Sequence, residues 1–379
     1  MPLSPDPPVV LQVLPSLITG GVERGTVEIA RAIAEAEATA LVASAGGPLV
    51  RQIERAGGTH IALPLTTKSP FGIWRNAGAL EAVIRQRKVS LVHARSRAPA
   101  WSAWIASQRT GVPFVTTFHG TYSETFPLKR QYNAVMARGR IVIAASHYIA
   151  GLIMDRHHLD ASRIRVIPRG VDLTVFDPDN VSGTRVAKLA AEWRLPDGVR
   201  TVVLPGRLTS WKGHFVLLDA MARLNRQDVM CVLVGSDQGR HDYAAALERQ
   251  ATRLGIASRL RLVGQCDDMP AALCLSDVVV HASTRPEAFG RVIIEAQAMG
   301  RPVIAADLGG PVETVGHGET GWLVPPGDPA ALAAAIEVAL DLNPAERLAL
   351  GHRARSSVPT IRAMQDATLD VYKTVLAAG

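Results

Sequence analysis

Two carboxylates, Glu287 and Glu295, stand with seven residues between them in RPEAFGRVIIEAQAMGRPVIAADLGGPVETV, residues 285–315. Gly290 comes just before an apolar run with helical spacing, so the amides around it are set to hold an anion at a helix N-terminus. Glu295 is then expected on that helix, about two turns beyond Glu287. One carboxylate can meet a sugar near the turn while the other meets ribose hydroxyls. A Glu pair of this spacing is common on solvated helices. Embedded in E-A-F-G, G-R-P-V-I-A and G-G-P-V-E-T-V, it is a specific signal.

Cations come next. In PGRLTSWKGH (205–214), Arg207 and Lys212 follow a strand and aim two positive charges at one place. A departing diphosphate gains charge as its bond to the sugar breaks, and preorganised cations stabilise it directly. They would also let a metal ion be dispensed with. The plainer alternative is two solvated side chains on a loop. In LPSLITGGVERGTVEIARAI (14–33), Gly20 and Gly21 precede a helix with Glu23 in its first turn. Bare backbone there can approach a phosphate, although a capped tight turn has the same look. His119, in FHG at a strand end, is by itself more often a hydrogen-bonded core residue.

Short β-branched runs alternate with longer amphipathic ones and supply the frame for these groups. Strands are expected at 9–14, 39–44, 59–64, 90–95, 113–119, 140–146 and 164–168, then at 201–206, 229–235, 260–264, 277–283 and 302–307. Helical patterns occupy 23–36, 72–87, 98–109 and 147–157, and 328–341 and 358–378 close the chain. Such βα alternation implies an α/β fold with two doubly wound parallel sheets. The expected division is 1–172 for a first Rossmann-like domain and 173–199 for a linker region. A second domain then covers 200–357, and a helix over 358–379 packs back on the first. Ligands of such sheets lie beyond the carboxyl ends of the strands, which predicts a cleft faced by both domains.

Composition narrows the class. Hydrophobic residues at 47% and charged residues at 20% suit a folded soluble protein. Aromatics at 5% argue against a stacking platform for single-stranded nucleic acid, and no nucleic-acid module is present. Cys231, Cys266 and Cys274 form no CxxC pair, which argues against a zinc site or disulfide framework and suits a reducing cytosol. The opening lacks a basic n-region and is broken by prolines, so no signal peptide is read, and no apolar run is long enough to span a bilayer. Charge is segregated. Residues 1–170 carry a balance of +10 and residues 171–379 one of −3, and residues 68–140 hold 12 basic against 2 acidic residues. Arg85, Arg87 and Lys88 form one cluster and Lys129 with Arg130 another. The excess is read as attraction to anionic lipid or a phosphorylated glycolipid, with a well-repelled soluble surface as the alternative. Trp101 and Trp104, at i and i+3, are expected to pack rather than project.

The segment 285–315 resembles the donor-site signature of glycosyltransferase family 4, whose members are retaining enzymes of the GT-B fold. PGRLTSWKGH is similar to that family's G-R-L-x-x-x-K-G, and GETGWLVPPGD (318–328) to its G-x-T-G-x-L-V-x-P-x-D. The resemblance covers most of the chain and is tightest over 200–328. It implies that Glu287 contacts the donor sugar and Glu295 the nucleotide ribose. Amides of Phe289, Gly290, Arg291 and Val292 would approach sugar and diphosphate, as would the loop of Gly20 and Gly21. His119 would lie near the donor sugar. VIPRGVD (166–172) departs from the family pattern, with Arg169 where Asn is usual. Implied partners are a nucleotide sugar and a glycolipid or saccharide acceptor, such as a lipopolysaccharide core. No cofactor and no metal are expected, and the place of action is cytoplasmic, at the inner face of the membrane. Same-fold alternatives are a nucleotide-sugar epimerase or a phosphorylase. A catalytically silent sugar- or lipid-binding protein is the third.

Overall fold

Runs of Val, Ile, Leu and Ala that are buried on both faces build two parallel sheets, as fully covered strands require. The computed structural model describes residues 7–18, 20–122, 124 and 127–378. It divides into one unit of Met1–Arg169 with Ile361–Gly379 and another of Gly170–Thr360.

The first unit alternates β1 (Val9–Val13), α1 (Gly21–Glu35), β2 (Thr39–Ser44), α2 (Val50–Arg55), β3 (Thr59–Ala62), α3 (Pro70–Gln86), β4 (Leu91–Ala94) and α4 (Arg97–Thr110). It continues through β5 (Phe114–Phe118), α5 (Pro127–Asn133), β6 (Ile141–Ala144), α6 (His147–His157) and β7 (Ile164–Val166). Its sheet order is β3-β2-β1-β4-β5-β6-β7. Leu11 of β1 pairs with Leu41 on one side and Val92 on the other. The order reverses between β1 and β4, which opens a crevice at their carboxyl ends. Trp101 donates from Nε1 to the Tyr132 carbonyl at 3.0 Å, and the Arg138 guanidinium lies 4.1 Å from the Trp104 ring centre, so both indoles are packed.

The second unit begins with α7 (Gly183–Glu192), followed by β8 (Arg200–Pro205), α8 (His214–Arg223), β9 (Val229–Val234), α9 (His241–Arg253), β10 (Leu260–Gly264) and α10 (Met269–Cys274). Then come β11 (Val278–His281), α11 (Arg291–Ala298), β12 (Val303–Ala306), β13 (Trp322–Val324), α12 (Pro329–Leu340) and α13 (Pro344–Ser357). Its order, β10-β9-β8-β11-β12-β13, repeats the same winding and reverses between β8 and β11. Helix starts are chemically marked. Asp328 caps α12 through the amides of Ala330 and Ala331, and Asn343 and Glu346 form a capping box on α13.

Two features differ from the sequence expectation. Residues 173–199, expected as a linker, belong to the second unit and carry α7, whose Leu189 and neighbouring Trp193 are buried. The short strand β13 is an addition within GETGWLVPPGD, where three residues are too few to show a period in the sequence. The final helix, α14 (Ile361–Ala377), buries Met364, Leu369, Tyr372 and Val375 in the core of the first unit. Tyr372 Oη meets His93 Nδ1 at 2.7 Å, and His93 Nε2 meets Thr117 Oγ1 at 2.7 Å. Burial, reinforced by the charges of Arg95 and Arg169, holds the His93 pKa well below its ordinary value, so this histidine is a neutral core group.

Candidate active site

The loops leaving β8 and β11 converge at the reversal point of the second sheet. β8 ends in Pro205 and passes through Gly206 and Arg207 to Lys212, while β11 ends in His281 and leads through Ser283 to Glu287. Lys212 Nζ donates to Glu287 Oε1 at 2.6 Å, and His281 Nε2 lies 2.7 Å from the same oxygen. The Ser283 hydroxyl donates to it as well. An ionised carboxylate only accepts, so Nε2 of His281 carries the proton. The side chains of Lys212 and Glu287 are 12% and 15% exposed. Burial by itself raises the Glu287 pKa. The charges of His281 and Lys212, with their hydrogen bonds, outweigh it and hold the carboxyl well below its ordinary 4.5. Glu287 Oε2 takes no hydrogen bond among the described residues, so one oxygen is anchored and the other is offered.

Glycines make this convergence possible at two places. Gly213 sits at φ +77°, and a Cβ there would overlap the Ala282 carbonyl, so only glycine lets the Lys212 loop pass against the end of β11. Gly309, at φ +73°, bridges to Glu287, and the amide of Gly310 donates to the Glu287 carbonyl at 2.9 Å. The G-G-P-V-E-T-V segment therefore works as a backbone rest for Glu287. His214, which follows Gly213, is driven down to about 4 by burial and stays neutral.

Glu295 is on α11 as expected, but Glu287 is not on that helix, and the two carboxylates have separate partners. Glu295 is 4% exposed and accepts from Arg291 Nε at 3.1 Å, one turn away. Gly290 is the N-cap of α11 at φ +85°. Phe289 is buried, 5% exposed as a whole residue, while Arg291 and Val292 are partly exposed. Arg207 is exposed and has no side-chain ion pair among the described residues; its cation and that of Lys212 are therefore held differently. Among the described residues no three His, Cys, Asp or Glu side chains converge as a metal-ligand set.

In the first unit, Gly20 is the N-cap of α1 in extended backbone, and the Glu23 carboxylate folds back over it. The space beside Gly20 is thus taken, whereas Gly21 has nothing within 4 Å of a Cβ position. His119 follows β5 and contacts the Arg169 guanidinium through Nδ1. Arg169 and buried Arg95 both reach Gly25 of α1, 3.1 and 3.0 Å from where its Cβ would be. The Asn-to-Arg departure at 169 therefore replaces an amide with a cation bonded to His119. Sequence reasoning missed His281 and Ser283. A signal existed, since DVVVHAS ends an apolar strand with two polar residues at i and i+2, on one face and at the ligand end of the sheet.

Chains of known type share this architecture. A model for glycosyl transferases group 1 matches residues 186–357, and one for glycosyltransferase family 4 matches residues 19–175. The D-inositol 3-phosphate glycosyltransferase of Jonesia denitrificans is 32% identical over 290 residues, covering 69% of this chain and 66% of the relative. That of Salinispora tropica is 30% identical over 368 residues, covering 84% and 73%. The crystal structure of a glycosyltransferase from Rickettsia africae superposes with a TM-score of 0.91 at 34% identity, covering 99% and 100%. HepE of Anabaena in complex with UDP and glucose gives 0.84 at 28%, covering 96% and 99%. With both halves matched and the two sheets wound alike, the chain belongs to the family 4 glycosyltransferases of the GT-B fold.

Proposed function

We propose that this chain moves a sugar from a nucleotide-diphosphate donor to an acceptor, with retention at the anomeric carbon and without a metal. The observation that carries the reading is Glu287. Three donors hold one oxygen, and its second oxygen is left to accept from a sugar hydroxyl. Lys212 and Arg207 then serve the diphosphate, the Gly290 region offers amides at the start of α11, and Glu295 serves the ribose. Gly20, Gly21 and His119 take part in positioning the reactants. In the reaction the anomeric C–O bond to phosphate breaks while a C–O bond to the acceptor forms on the same face. The acceptor proton passes to the departing phosphate, which leaves as the nucleoside diphosphate.

UDP is the first donor base to test, because HepE, at 26–28% identity, is known with UDP and with UDP-glucose. The acceptor proposed is a phosphorylated cell-envelope glycolipid, such as a lipopolysaccharide core, met at the inner membrane face. WaaG, a glycosyltransferase involved in lipopolysaccharide biosynthesis, shares the fold at 16% identity. A second reading, D-inositol 3-phosphate as acceptor, is favoured by the names of the relatives. The test is a thermal-shift panel of UDP-, GDP-, ADP- and TDP-sugars, with and without EDTA, followed by product analysis on both acceptors. A ligand bound only by the folded state raises its stability, so the true donor stands out. A UDP-sugar is expected to stabilise the protein and to turn over in EDTA. Loss of turnover on chelation, restored by manganese or magnesium, overturns the metal-free part. Donor binding with no transfer points to the silent binding protein, and an isomerised donor to the epimerase.

A further inference from the structure

The exposed large hydrophobic residues include only two aromatics among the described residues, Phe71 at 72% and Trp74 at 61%. They stand at i and i+3 in the first turns of α3, on adjoining surface. Lys68 precedes them and Arg75 follows, both exposed. Leu128, 69% exposed, lines with Lys68 and Lys129 a cavity of about 660 Å³ that also includes Arg97, Ser96 and Thr66. Among the described residues, no acidic side chain lines that cavity. The one carboxylate on α3, Glu81, is bound to Arg85 and Arg109.

Much of the basic excess of 68–140 already has partners within the first unit, though only Arg95 among these cations is buried. Arg95 is buried, and Arg85 and Arg109 hold Glu81. Arg97 donates to Asn133, Arg138 covers Trp104, and Arg130 and Arg140 bond to carbonyls. Arg87 and Lys88 lie at the far end of the 17-residue α3, roughly 25 Å from Phe71. Lys68 and Arg75 are the cations that flank exposed aromatic surface. A ring pair edged by cations and without acids matches the apolar-to-charged gradient of an anionic lipid interface.

We propose that the N-terminal end of α3 is a membrane anchor. Phe71 and Trp74 enter the headgroup region of an anionic bilayer, Lys68 and Arg75 pair with its phosphates, and Leu128 adds to the apolar rim. The use of this anchor, to meet a lipid-borne acceptor, rests on the function proposed above, whereas the docking itself is tested without substrate.

The test is co-sedimentation of the full chain with phosphatidylcholine vesicles, with and without phosphatidylglycerol, at low and high salt. The wild-type protein is expected to bind only the anionic vesicles, and less as salt rises. F71S/W74S should lower the partition coefficient at least tenfold, since each ring loses its apolar burial. K68Q/R75Q should lower it roughly 25-fold at low salt, about fivefold for each charge, and change little at high salt. Unchanged thermal unfolding of F71S/W74S, with its UDP-sugar shift intact, shows that its loss of binding is local. The anchor is overturned by F71S/W74S binding like wild type, or by equal binding to neutral vesicles. It is equally overturned by a wild-type dimer that F71S/W74S converts to monomer, because the face then belongs to a second copy. Vesicle binding without transfer to any acceptor would sink the function alone; transfer to detergent-dispersed glycolipid without vesicle binding would sink the anchor alone.

Discussion

Replacing Glu287 with Gln removes a charge but keeps the shape, and its effect can be worked from the contacts. Lys212 Nζ is 2.6 Å from the carboxylate, and both side chains are largely shielded from water. Two unit charges 4 Å apart attract by about 4 kcal/mol at an effective dielectric of 20. Deleting one partner of a buried pair costs about 3–5 kcal/mol, because the other charge is left uncompensated. Partial exposure places Glu287→Gln near the lower figure, about 3 kcal/mol. The sign of the pH dependence follows from the depressed pKa of Glu287. Its stabilising contribution is fully present above the ordinary carboxylate value of 4.5 and is lost as pH falls through the lower folded value. Urea unfolding of wild type and variant at pH 7, pH 4 and below should show a gap that is constant near neutrality and closes on acidification. In the double variant E287Q/K212M the gap should shrink, because no orphan charge remains. A gap under about 0.5 kcal/mol at pH 7, or one unchanged in acid, would refute this account of the pair.

Three other outcomes are expected. Arg207→Ala should retain the fold and lose about 2–4 kcal/mol of transition-state stabilisation, read as kcat/KM in a transfer assay, and near-normal turnover would remove it from the site. Gly213→Ala should destabilise the second unit by at least about 2 kcal/mol in urea unfolding, since a Cβ meets the Ala282 carbonyl and φ is positive. Tyr372→Phe should cost about 1–2 kcal/mol, because it leaves His93 Nδ1 without its partner in the core; an unchanged midpoint would show that water replaces the hydroxyl.

Much of the frame was readable because strands covered on both faces leave long apolar runs, such as 229–235, and turn residues bracket them. The Glu287 and Lys212 segments were readable too, since each follows a strand at the ligand end of its sheet. Their pairing was not. Residues 75 positions apart in sequence meet only because β8 and β11 are neighbours, and strand order is not written in local pattern. The same limit hid His281, which looked like one more residue of an apolar strand. α7 was missed because its amphipathic stripe buries little, and the stretch before it is rich in turn residues. The charge segregation was visible, but not which cations the fold would consume. Arg95 and Arg75 look alike in sequence; one is buried beside Gly25, and the other stands exposed next to Trp74.

The placement of α14 has a consequence for how the protein is made. A ribosome completes β1 to β7 early, yet the helix that brings Tyr372 against His93 emerges only after all of Gly170–Thr360. Until then the first sheet lacks Met364, Leu369, Tyr372 and Val375, and the apolar surface they cover stays open. The second unit, continuous in sequence, is itself complete only at Thr360, the residue before α14 begins. The first unit is thus begun first and closed last, and the apolar surface that α14 covers stays open throughout synthesis of the second.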